Sequence, residues 1–328
     1  MASLAEIRAK LAQMEPKKNG EGFKSDGSIY PFWNIEEGQT ATVRFLPDAD
    51  PNNVFFWAER KMIKLTFPGV KGGQNKPVTV QVPCGEMWGD NCPVLTEVRP
   101  WFKAGDPALE ELGRKYWMKR SYIFQGLVVD NPLKEEGIEN PIRRFIISPQ
   151  LFNIIKSALM SPDMEHSPTD YSNGTDFRIS KTTKGQYADY TTSNWARRDR
   201  ALNETELEAI DTHKLYTLSE FLPARPTAEH YTAIGEMFEA SVAGELYDVD
   251  RWGSFYKPYG IDAPQGDTKT QSTSAPAQVK APAVDPDADI DDIVNTSAPV
   301  ATTAAPAGEA GKKSADDILA MIRNRPKQ

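Results

Sequence analysis

Leu4, Ile7, Leu11 and Met14 recur at helical intervals, and Ser3 and Glu6 stand at capping-box spacing ahead of them. Pro16 stops this helix and Lys17-Lys18-Asn19-Gly20 reads as a linker. Residues 1–21 therefore form a separable amphipathic arm, with Arg8 and Lys10 as its cations, that packs on its own body or on a neighbouring subunit. Beyond it the period changes from 3.6 to 2. Runs rich in β-branched and aromatic residues predict strands over 40–46, 54–57, 62–67, 78–82, 121–129, 142–147 and 175–181. Gly126, inside one of these runs, predicts a bulge or sharp bend of the kind a small curved barrel needs. Helical period returns after Asp106-Pro107, after Ser148-Pro149 and near Asn203 and Thr227, the last with Tyr231, Ile234, Phe238 and Val242. Strands first, with helices inserted and appended afterwards, is an α+β pattern.

The pattern stops at residue 260. From Ile261 to Gln328 there is no Phe, Trp, Tyr, Cys or His, and Ala, Pro, Ser and Thr dominate. Such a segment buries too little apolar area to offset the entropy of ordering it, so 261–328 is expected to be disordered. Within it Asp285, Asp287, Asp289, Asp291 and Asp292 form an acidic cluster, which is either a solubilising tract or a strand-mimicking one. Ser314, Asp316, Asp317, Ile318, Leu319 and Ile322 near the end read as a frayed tail or as a short helix that docks on a partner.

Charge changes the picture once it is located. The chain carries −8 overall, which argues against nucleic acid; 10 acidic and 7 basic residues put −3 of that in 261–328. Between Arg99 and Phe124, however, six aromatics (Trp101, Phe102, Tyr116, Trp117, Tyr122, Phe124) interleave with six cations (Arg99, Lys103, Arg114, Lys115, Lys119, Arg120). Between 142 and 200 nine cations outnumber six acids; they include Arg143, Arg144, Lys181, Lys184, Arg197 and Arg198, with Tyr187, Tyr190 and Trp195 nearby. Cations track phosphates and flat rings stack on bases, so a surface built this way suits unpaired nucleic acid. Strand alternation limits the reading: Arg120 and Tyr122 share a face, while Lys119 and Ile123 take the other, and about half of these aromatics belong to the core whatever the function.

Catalysis finds no support. There is no Walker-type glycine loop, no GxSxG elbow and no His/Asp/Glu cluster at metal-ligand spacing. His166, His213 and His230 are isolated, and the pairs Glu36-Glu37, Glu110-Glu111 and Glu135-Glu136 read as solvated charge. Two cysteines exclude a disulfide scaffold, and no apolar run reaches the ~18 residues of a membrane span, so a soluble, membrane-free protein is expected.

Several short motifs, in order, resemble the single-stranded DNA-binding (helix-destabilising) proteins of T-even-type bacteriophages. They are Ala41-Thr-Val-Arg-Phe-Leu-Pro47; Cys84 with Gly89-Asp90-Asn91-Cys92-Pro93-Val94; Lys119-Arg120-Ser121-Tyr122 followed by Leu127-Val128-Val129 and Pro132; Arg143-Arg144-Phe145; and Gly185-Gln186-Tyr187-Ala188-Asp189-Tyr190. The resemblance implies an OB-fold β-barrel core over 22–260, a small metal-loop subdomain at about 60–105, and a cleft between them. It implies cleft contacts to single-stranded DNA from Lys119, Arg120, Tyr122, Arg143, Arg144, Tyr187 and Tyr190, with Tyr116, Trp117, Arg114, Lys115, Lys181 and Lys184 beside them. Self-association would run through Leu4, Ile7, Arg8, Lys10 and Leu11 of the arm. The tail would meet phage replication proteins (polymerase, helicase loader, recombinase mediator) in the cytoplasm of an infected host.

The loop departs from that family's zinc pattern. Leu95 stands where a last cysteine is expected, and no histidine precedes His166, so Cys84 and Cys92 are two thiols without the other ligands a tetrahedral site needs. The expectation is a zinc-free loop in which Pro83, Met87, Trp88, Val94 and Leu95 pack in place of metal. The rival readings are an RNA-binding translational regulator using the same cleft, and a structural or adaptor protein whose aromatics are all core.

Overall fold

The computed structural model describes residues 28–258 apart from 74, 75, 136 and 186. The arm with Leu4, Ile7, Arg8, Lys10 and Leu11, and the tail from 261, lie outside the described residues. The architecture is α+β. Nine strands run in chain order as β1 (Thr40–Leu46), β2 (Trp57–Phe67), β3 (Val78–Pro83), β4 (Lys119–Asp130), β5 (Ile142–Ile147), β6 (Gly174–Ser180), β7 (Thr182–Lys184), β8 (Tyr187–Asp189) and β9 (Asn194–Arg200). The helices are α1 (Pro93–Trp101), α2 (Pro107–Tyr116), α3 (Pro149–Leu159), α4 (Glu204–His213), α5 (Ala228–Val242) and the single turn α6 (Val249–Trp252).

The helix starts follow local chemistry. Asp106, Ser148, Asn203 and Thr227 each accept a backbone N–H of the first turn, and Asn203 with Glu206 completes a capping box. Other expectations shift. Positions 54–56 precede rather than form a strand, and β2 is one eleven-residue strand starting at Trp57. Helix α1 occupies the stretch expected to be a loop; β7, β8 and β9 have no counterpart among the sequence expectations.

The main sheet is antiparallel along the path β3-β2-β4-β1-β6-β9, with β5 on β4. Strand β4 pairs through residues 119–124 with β2 and through 125–130 with β1, while β5 takes 122–127 on its opposite edge. The sheet therefore forks at Gly126. A Cβ there would sit 2.3 Å from the Arg44 carbonyl oxygen, so glycine is required by close backbone approach, while the register shift of the β1–β4 pair falls further along, where Thr42 and Val43 face Asp130 and Val128. The sheet stays open: no closed barrel is found among the described residues, and β3 and β9 end the path.

Two large hydrophobic clusters share one face of this sheet, and a smaller one of Leu46, Leu127, Ile142 and Leu202 lies apart from them. One gathers Val43, Phe45, Phe124, Phe145, Ile147 and Phe177 with Leu151, Phe152 and Ile155 of α3. The other gathers Ile63, Leu65, Phe67, Val80 and Val82 with Val94, Leu95, Val98, Phe238 and Trp252, so α5 and α6, more than a hundred residues on, pack into one cluster with β2, β3 and α1. On the sheet's other face, fully buried Arg44 donates to Asp176 (2.7 Å), which Arg200 also engages (2.7 Å) while binding both oxygens of Glu206 (2.7 and 2.8 Å). Burial pushes the Glu206 carboxyl up, but the Arg200 bonds and the Asn203 N–H outweigh it and hold the group below its ordinary range. A lowered folded pKa stabilises above the unfolded value and loses that contribution as pH falls through the folded one. Glu206→Gln is thus expected to cost about 1.5–3 kcal/mol at pH 7 in urea unfolding, a difference that shrinks below about pH 4. An unchanged midpoint at pH 7 contradicts the network's role.

Candidate nucleic-acid interface

Direct pairing of β2 with β4 sets Trp57 opposite Phe124, Glu59 opposite Tyr122 and Lys61 opposite Arg120. Opposed residues of an antiparallel pair share a face, so these three rows, with Ile63, Leu65 and Phe67 beyond them, form one stripe. Trp57 packs on the first cluster and Ile63, Leu65 and Phe67 are in the second. Between the two clusters the same stripe turns charged. Glu59, Lys61 and Arg120 keep side-chain exposures of 36%, 20% and 50% there, and Glu59 lies 3.5 Å from Lys61 Nζ and 3.7 Å from Arg120 Nε. The result is a polar saddle on the sheet, edged by the 3-10 turn Gly85–Met87, whose Met87 Sδ accepts the Lys61 N–H, and by Phe152 of α3.

Tyr122 borders the saddle with its ring face-to-face on Phe152 (3.5 Å, 10°) and is 8% exposed. Burial, reinforced by Glu59, raises its hydroxyl pKa, and Arg120 beside it offsets this in part. Its ring faces are thus largely taken by core packing. Hairpin β7–β8 is tied nearby: Gln150, two residues before Phe152, donates to Asp189 and accepts the Tyr190 N–H. Tyr187 stands on that hairpin opposite Lys184, 48% exposed. Arg114 and Lys115 are exposed on the last turn of α2, Arg114 3.5 Å from Glu110, where cations suit the helix C-terminus. Trp117 is half-buried, edge-on to Phe102.

Several expected contacts have other employment. Tyr190 is 3% exposed and packs edge-on against Phe32, so it is core. Tyr116 is 1% exposed in the second cluster, its hydroxyl 3.0 Å from Ser241 Oγ. Arg143, 2% exposed, is clamped to both oxygens of Glu135 (3.2 and 3.0 Å) and donates to the Ile29 carbonyl. Glu135 is therefore a buried partner rather than solvated charge. Arg144, next in β5, points to the opposite face, where its guanidinium lies 3.9 Å from the Phe221 ring centre. Lys119 shares that opposite face with Met62 and Ser121, as alternation requires, and Lys181 donates to the Trp33 carbonyl (2.6 Å). Of the expected cations Arg120 alone lies on the saddle floor. Lys61 and the rings of Phe55 and Trp57 were missed there, although the run Val54-Phe55-Phe56-Trp57 ahead of Arg60-Lys61 carries the same aromatic-then-basic signal.

Cys84 and Cys92 are buried free thiols within the second cluster, joined by a side-chain hydrogen bond. The bond to Cys84, with backbone N–H groups at the start of α1, holds the Cys92 thiol below its ordinary range against the opposing effect of burial; Cys84, bonded to that sulfur and buried, is pushed up. Pro83, Val94 and Leu95 are buried around them and Met87 and Trp88 half-buried. Among the described residues no group of three or more His, Cys, Asp and Glu side chains is placed to hold a metal. Asp90, the nearby carboxylate, is engaged by Arg225 (2.9 Å) and Tyr231 (2.9 Å), so the donor set here does not fit a tetrahedral zinc ion. A groove of about 550 Å³ lined by Met164, His166, Trp195 and Arg197 holds a ring and a cation of the second basic-aromatic window, but none of the cleft contacts that the resemblance implies. No described helix is long and apolar enough to cross a membrane.

Comparison with protein-family models finds no match, and no curated protein matches the chain. Removing Arg143 leaves Glu135 as an uncompensated buried charge, so Arg143→Ala is expected to cost about 3–5 kcal/mol in denaturant unfolding. An unaltered midpoint returns Arg143 to the role of a spare cation.

Proposed function

We propose that the chain is a sequence-independent single-stranded DNA-binding protein without catalytic activity, and that the strand crosses the β2–β4 saddle. The observation that carries this is the interruption of two apolar clusters, on one continuous sheet face, by Lys61 and Arg120. Two cations directly opposed repel each other, and the fold tolerates them by setting Glu59 between. A phosphate is the natural second partner for such a pair, and Arg120, half exposed, is free to meet one. Tyr187 with Lys184 on the neighbouring hairpin, and Arg114 and Lys115 at the end of α2, extend the cationic and aromatic surface. On this reading the curved β1–β4–β5 sheet is an open variant of the OB-fold. The acidic tail competes with phosphate and recruits phage replication proteins, and the arm supplies self-association in the host cytoplasm.

The test is an oligo-dT titration beside duplex of equal length. The single strand is expected to bind tighter, with log affinity falling linearly in log salt by about 0.7 per phosphate neutralised, and Arg120→Gln is expected to reduce that slope by about 0.7. Equal affinity for duplex, or no salt dependence, overturns the proposal, and preference for oligo-U over oligo-dT moves it to RNA. Glu59→Gln removes the resident anion and is expected to tighten oligo-dT binding several-fold at low salt; weaker binding would mean that Glu59 holds the cations in place rather than competing for them.

A further inference from the structure

Val54 and Phe55, at the turn into β2, are 92% and 56% exposed. Apolar side chains are left in water singly at many surfaces, but Phe55 is not isolated. Its ring lies parallel to Trp57 (4.7 Å, 29°), and Trp57 lies parallel to Phe124 of the first cluster (5.7 Å, 26°), a run of three rings leading from solvent to core. The run is fixed from below and from the side. Phe56 and Phe152 meet Trp57 edge-on (5.0 and 5.3 Å). The turn is pinned by Asn53, which donates to Asp48 (2.7 Å) and to the Trp57 carbonyl (3.2 Å) and accepts the Phe55 N–H (3.0 Å). An aromatic ring held rigidly with one face open has lost its conformational freedom before any ligand arrives.

What lies alongside decides the ligand. Trp57, Glu59 and Lys61 alternate onto one face of β2, so the cation pair Lys61–Arg120 begins about 13 Å along the strand from the rings. A flat apolar surface in line with a phosphate-sized cation pair is complementary to a short stretch of unpaired strand, with a base on the rings and the phosphate of a neighbouring nucleotide on the cations. We infer that Phe55, backed by Trp57, is a stacking platform for an unpaired base of the strand whose phosphates meet Lys61 and Arg120. This rests on the proposed function and adds to it the residue that holds a base.

Stacking involves no counterion release, so its loss has a signature that loss of a cation lacks. Phe55→Ala is expected to weaken oligo-dT binding about tenfold at every salt concentration with an unchanged salt slope, and Phe55→Trp to restore it. An abasic oligomer of the same length is expected to bind the wild type and Phe55→Ala equally. Thermal unfolding of Phe55→Ala should match the wild type, because the side chain is exposed. If the wild type binds oligo-dT and Phe55→Ala binds as tightly, the platform is wrong while the proposed function stands. If the wild type does not bind oligo-dT at all, both fall, and a protein partner becomes the occupant of this ring.

Discussion

One strand belongs to two cores. The first half of β2 hydrogen-bonds to β4 and the second half to β3, and its inward stripe reads Trp57, Glu59, Lys61, Ile63, Leu65, Phe67. Apolar side chains at both ends anchor it in separate clusters, and neither cluster reaches the middle. A sheet that passes unbroken between two cores must present its central rows to solvent, and side chains there are charged because burying them unpaired is costly. The saddle follows from that continuity, and so does its position next to the tips of α3 and the Gly85–Met87 turn.

The same economy of charge divides the basic residues into two groups. Arg44, Arg143 and Arg200 are tied by short bonds to Asp176, Glu135 and Glu206; the first joins β1 to β6 across the chain, and the other two fasten β5 to the loop before it and β9 to the start of α4. Buried guanidinium groups need such partners, since one left unpaired is far more costly than the pair is favourable. Arg120, Lys184, Arg114 and Lys115 have no comparable burial and stay exposed. Aromatic residues divide in the same way. Tyr30, Tyr116 and Tyr190 fill cores, whereas Phe55 and Tyr187 keep a ring in solvent.

The cysteine pair lies where two elements of the second cluster meet. Cys84 precedes the Gly85–Met87 turn and Cys92 caps α1, so the two sulfurs meet at the helix start. Gly85 has no Cβ because Tyr231 packs there, 2.8 Å from where one would stand, and the Tyr231 hydroxyl donates to Asp90. Hydrogen bonds and apolar packing hold this loop against α5.

Local chemistry determined much of this protein in the sequence. Caps at Asp106, Ser148, Asn203 and Thr227, the period-2 runs of β1, β3, β4, β5 and β6, and the glycine at the fork of β4 all act over a few residues, and each was legible. The alternation that sets Arg120 with Tyr122 and apart from Lys119 was legible for the same reason. Tertiary structure alone decided which charges are spent. Arg143 and Arg144 look alike along the chain, yet one meets Glu135 and the other Phe221, because β5 turns its two faces to different segments. It also decided that the helix after Thr227 completes the cluster begun at Ile63, and that Lys61 joins Arg120 on the saddle. Most of these pairings join residues scores of positions apart, and even the short one between Arg143 and Glu135 depends on which face of β5 a loop folds over, which no periodicity within one segment encodes.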